Sequence, residues 1–160
     1  MKNAAFLWAI LAVSISWAQD KPSAAGTWKL DIAQSSFGSD PVPKSVVGTI
    51  SADSPQLMSY HVRNVDDKGN RATFSWSGPE DGSMHQMMMN GKPAGQQSVK
   101  KESDGTIVRH GEDSTDGSTF DARGSLSPDG KTFTDEITEK SKDGKESVQK
   151  QVWHRVSAKG

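Results

Sequence analysis

The chain contains no cysteine. That excludes disulfide stapling, thiolate metal sites and a cysteine nucleophile. Large aliphatic residues are scarce. Beyond position 18 there are three Leu, four Ile, ten Val and four Phe, 21 of 142 residues. That share, about 15%, lies under the level usually read as a warning of disorder. Excess charge of either sign is also missing: 19 basic residues face 20 acidic ones, for a net charge of −1. The signs are interspersed, as at Lys142, Asp143, Lys145 and Glu146, which describes a solvated strand face and excludes a nucleic-acid patch. There is no phosphate-binding glycine loop, no G-x-S-x-G elbow and no HExxH pair.

Long hydrophobic runs are absent except at the start. Residues 4–15 are apolar apart from Ser14, after Lys2 and before Ser16-Trp17-Ala18. A dozen residues is short for a bilayer span, which needs about 20. Small residues at 16 and 18 suit a signal-peptidase site, so residues 1–18 read as a cleaved signal peptide and 19–160 as one domain. A cysteine-free exported chain of this size reads as bacterial, periplasmic or secreted, with no membrane span after cleavage.

Turn chemistry is what the sequence has in abundance. Asp-Gly occurs at 81–82, 104–105, 116–117, 129–130 and 143–144, and Asn-Gly at 90–91. Both pairs suit the positive-φ positions of hairpin turns. The last four Asp-Gly pairs recur every 12 to 14 residues, leaving room for strands of about 8 to 10 residues. Period-two patterns fill the gaps: Trp28, Leu30 and Ile32; Met58, Tyr60 and Val62; Ala72, Phe74 and Trp76. Ten strands are predicted, the weakest being the polar stretch 96–103, where Val99 is the only anchor. No helix of any length is predicted. The fold class is all-β, a single up-and-down antiparallel β-barrel of 8–10 strands. Near-zero net charge and regular turns argue against disorder, and a partly polar, wet interior accounts for the thin core.

Three segments carry a resemblance: residues 26–37 (GTWKLDIAQSSF), Pro43-Lys44-Ser45, and Leu126-Ser127-Pro128-Asp129-Gly130-Lys131-Thr132. Together with the G-x-W at 26–28 and Arg155 in the last strand, they resemble the lipocalin and wider calycin pattern. More narrowly, they are similar to an exported bacterial lipocalin-like family of unknown function. The resemblance implies that Trp28 and Arg155 close one barrel end, with the cation over the indole face. It implies a ligand-binding tendency and brings no catalytic residues.

Candidate sites are few. Tyr60, Phe74, Trp76 and Met88 are the large residues of their strands and are the candidate lining for a small, mostly apolar ligand. A bulge near Gly78-Pro79 would instead turn Met87 inward and Met88 out. Met84-His85-Gln86-Met87-Met88-Met89 suggests Cu(I), but methionine more often fills irregular interiors, and ligands along one strand converge poorly on one ion. His61, His85, His110 and His154 lie on four strands without metal-ligand spacing. Asp135, at period two between Phe133 and Ile137, points inward, and Glu112 and Asp113 lie near His110, yet nothing in the sequence sets a catalytic geometry. The chain thus reads as a non-enzyme that binds a small apolar molecule in the bacterial cell envelope, without cofactor or metal. The alternatives are a structural or interaction protein with a filled barrel and, third, a copper-handling protein.

Overall fold

The computed structural model describes residues 22–156; the signal-peptide assignment lies outside the described residues. Ten strands follow in order: β1 Gly26–Leu30, β2 Ser45–Ser54, β3 Leu57–Val65, β4 Arg71–Gly78, β5 Asp81–Met89, β6 Lys92–Lys101, β7 Ile107–Asp113, β8 Thr119–Leu126, β9 Thr132–Lys140 and β10 Glu146–Arg155. Each pairs antiparallel with its neighbours in sequence, and β1 pairs with β10 to close the barrel. This is an up-and-down, lipocalin-like barrel in which closure leaves no sheet edge unpaired. No helix occurs among the described residues.

The Asp-Gly rhythm marks turns, though by a different mechanism from the one expected. Within the Asp-Gly pairs only the glycines take positive φ; among the described residues the sole non-glycine to do so is Asn90 at 51°. Asn90-Gly91 is thus the one two-residue turn of the expected kind. At Asp104, Asp116 and Asp129 the aspartate stays at negative φ and its carboxylate accepts the N–H two residues on, from Thr106 (2.8 Å), Ser118 (2.9 Å) and Lys131 (3.1 Å). The following glycine supplies the left-handed residue. Asp81-Gly82 is not a turn at all. It opens β5, and the connection is Pro79-Glu80. Gly82, at φ 86°, accompanies a register shift against β6 between Asp81 and Met84. The polar stretch expected at 96–103 begins earlier, at Lys92, directly after the Asn90-Gly91 turn.

In an up-and-down barrel alternate connections share an end. The β2–β3, β4–β5, β6–β7 and β8–β9 turns lie with the start of β1 and the end of β10 at one end, which is closed. Buried residues fill it: Met58, Trp76, Val99 and Ile107, with Met87. Arg155 lies over the Trp28 ring, 4.3 Å from its centroid, and the ring is 3% exposed. The indole N–H donates to the Ala24 carbonyl at 2.9 Å. The guanidinium fork donates to the carbonyls of Gly130 (2.7 Å), Ser23 (2.7 Å) and Ala25. Gly26 permits this approach, since a Cβ there would stand 2.5 Å from an Arg155 nitrogen.

An acidic pair secures the same end. Asp53 accepts from Lys101 (2.8 Å), from Ser23 Oγ (2.8 Å) and from the Ala24 N–H (2.6 Å). Burial favours the neutral form of Asp53, but these donors outweigh it and hold its pKa low. Glu80 is buried, and burial, followed by its hydrogen bond to Asp53, pushes its pKa up. Native Glu80 therefore binds a proton that the unfolded chain releases sooner, so stability falls as pH rises from the ordinary glutamate range through the raised value. Glu80→Gln is expected to raise the melting temperature near pH 7 and to change it little near pH 4, where the carboxyl is mostly neutral in the unfolded chain as well. Thermal unfolding at the two pH values checks this; equal effects at both would refute it.

Candidate functional site

The interior is filled at one end and open at the other. A cavity of about 740 Å³ reaches the β1–β2 and β3–β4 loops, where Asp40, Pro41, Asp66 and Lys68 form its rim. None of its lining comes from the β2–β3, β4–β5, β6–β7 or β8–β9 turns. The scarcity of Leu and Ile has this consequence: the large side chains suffice to pack one half of a ten-stranded barrel only.

Tyr60 and Phe74 line the cavity, their rings 5.9 Å apart. Trp76 and Met88 do not. Trp76 lies beneath Tyr60 in the packed end, its indole N–H donating to the Gln97 carbonyl at 2.9 Å. Met88 is a correction: it faces outward, opposite Ser75, while Met87 pairs with Trp76 and is buried. The reason is register. β5 runs from Asp81, and a second shift between Met87 and Met88 sets Met88 opposite Pro93 and Met87 opposite Gly95. Met89 returns to the cavity lining near the rim.

The most polar part of the site was legible in the sequence for Asp135 only, and its partner was not. Arg109 on β7 and Asp135 on β9 point inward and form an ion pair across β8. Ala122 and Gly124 on β8 leave space for it; a Cβ on Gly124 would stand 2.9 Å from Asp135 Oδ1. Tyr60 adjoins the pair, and its hydroxyl donates to Gln97 Oε1 at 2.9 Å. Burial raises the Tyr60 pKa, so the phenol stays neutral. For Arg109, burial works against the charge, but the Asp135 carboxylate prevails and the guanidinium stays charged. Two buried atoms of the pair, Arg109 Nε and Asp135 Oδ1, have no hydrogen-bond partner among the described residues. A signal for Arg109 existed: it shares parity with Ile107 as Asp135 does with Phe133, two opposite charges at inward positions one strand apart.

The other candidates stay dispersed. His61 is exposed. His85 meets Trp76 edge-on at 6.2 Å, His110 lies 2.8 Å from Asp121, and His154 lies 3.2 Å from Asp31. Met84 is exposed at the start of β5, away from Met89. Glu112 is 3.9 Å from His110 on the outer surface, and Asp113 caps the turn to β8 through the Thr115 N–H at 2.7 Å.

No family model matches the chain, and no curated protein matches it. Among solved structures it is similar to the S-type phycobiliprotein lyase CPES from Guillardia theta, at 13% identity and a TM-score of 0.46, over 84% of this chain and 89% of that one. That neighbour is a lyase, so the expectation of a non-enzyme is corrected and is not retained. No residue and no activity is carried from it to this chain.

Proposed function

We propose that this protein binds a small, mostly apolar molecule inside the barrel, in the bacterial cell envelope. One observation carries the reading. The cavity has the volume of a small-molecule site, is reached from one end only, and is lined by Phe37, Phe74, Phe120, Phe133 and Trp153 with a few polar groups at its base. The filled-barrel alternative has no comparable support, because the packed residues occupy one half of the interior. The envelope location rests on the apolar run at residues 4–15 and the Ser16-x-Ala18 site that follows it.

Titration with N-phenyl-naphthylamine tests the reading. The probe is expected to brighten on binding with about one site per chain. Phe74→Ala should weaken binding roughly tenfold, the effect of losing most of one ring's buried contact. Met88→Ala should leave binding unchanged, because that side chain lies outside the barrel. Absence of saturable binding, or equal loss in both variants, would remove the reading.

A further inference from the structure

At its base the cavity meets a charged group and not more hydrocarbon. Arg109 lines it, with 18% of the side chain accessible. The guanidinium has five N–H donors, and Asp135 Oδ2 takes one edge through Nη2. The two oxygens of Asp135 are placed unequally. Oδ2 faces the arginine; Oδ1 is buried against Gly124 on the barrel wall. The Tyr60 hydroxyl bonds with Gln97 and accepts a second donor of Arg109. The acceptors at the base are therefore engaged or walled off; Arg109 Nε is buried like Asp135 Oδ1, and the terminal N–H groups of Arg109 beyond those on Asp135 and Tyr60 are the donors left to the cavity. A ligand atom seated there must accept a hydrogen bond.

Charge narrows the class further. Asp135 already balances Arg109. The rest of the lining adds Asp40, Asp66, Asp67 and Glu139 against Lys68 alone. Neither Asp40 nor Glu139 takes part in an ion pair among the described residues. An anion would bring one more negative charge towards Asp40 and the rim carboxylates Asp66 and Asp67; burial, with Asp40 and Asp116, pushes the Glu139 pKa up, as expected where negative charge already gathers.

Resting on the ligand-binding reading above, we propose that the cavity selects an uncharged carbonyl compound, a ketone, aldehyde or ester on an apolar chain, which enters carbonyl first and accepts a hydrogen bond from Arg109. The corresponding carboxylate is discriminated against, and the corresponding alkane binds without the anchoring bond.

Three chain-matched competitors test this by displacement of N-phenyl-naphthylamine: methyl nonyl ketone, undecane and undecanoate. The ketone is expected to bind about tenfold tighter than undecane, the usual worth of a hydrogen bond to a charged group, and tighter than undecanoate. In the Arg109→Met/Asp135→Leu double variant, which removes the pair without leaving a lone buried charge, the preference for the ketone is expected to vanish or reverse, because its carbonyl is then desolvated without a partner. Equal affinity of ketone and undecane in the unmodified protein overturns this inference and leaves the ligand-binding reading standing. So does undecanoate as the tightest competitor, or a preference for the ketone that survives in the double variant. Failure of the probe itself to bind overturns both.

Discussion

Arg109→Met alone is expected to destabilise the barrel by about 3–5 kcal/mol, because it strands the Asp135 carboxylate in the interior. Asp135 is only 4% exposed, and Oδ1 has no partner even in the intact protein. Its one strong contact is the arginine. Asp135→Leu alone should cost a similar amount by stranding the guanidinium. The double variant is expected to recover most of the loss, since a buried ion pair replaced by apolar side chains of similar volume is often neutral or better. Denaturant unfolding of the four proteins measures the coupling directly. If the two single losses simply add in the double variant, the pair is not an energetic unit. Recovery would also show that a costly charged pair is retained at the base of the cavity for a reason other than stability, which is where a ligand enters the argument.

Trp28→Ala should cost a comparable 3–5 kcal/mol, and on the order of 10 °C or more in melting temperature. Three contacts go at once. The ring leaves a cavity against Phe133, whose centroid is 6.3 Å away. The bond from the indole N–H to the Ala24 carbonyl is lost. Arg155 loses the aromatic face beneath it and keeps only its bonds to the carbonyls of Ser23, Ala25 and Gly130. Trp28→Phe separates these effects, because it retains an aromatic surface while removing the N–H, and it should cost roughly half as much or less. A loss under about 1 kcal/mol for Trp28→Ala would mean that this closure adds little to the barrel. Phe133 packs on Trp28 and lies beside Asp135 at Gly124, so the two sites share a neighbour and a small coupling between their effects is expected.

Strand number and order were legible because they depend on local chemistry. Asn90-Gly91 and the Asp-Gly pairs at 104, 116, 129 and 143 impose reversals wherever they fall, and period-two patterns assign a face between them. The same locality explains the failure at Asp81-Gly82. A positive-φ glycine serves a bulge as well as a turn, and the dipeptide alone does not distinguish them. Beyond that point spacing alone sets Met88 inside, whereas pairing with β4 sets Met87 there.

The inward direction of Asp135 was likewise readable from its spacing to Phe133 and Ile137, and the poverty in Leu and Ile foretold incomplete filling. Local chemistry thus sufficed for the all-β meander and for the scarcity of its core. Which residues meet depends on contacts between distant strands. Arg109 and Asp135 are 26 positions apart and reach each other only because closure curls β7, β8 and β9 and the small Ala122 and Gly124 leave room between them. Barrel closure also chose where the limited apolar volume went, gathering Trp76, Met87, Val99 and Ile107 at one end and leaving a cavity at the other. That choice depends on strand stagger and long-range packing, which no window of the sequence contains.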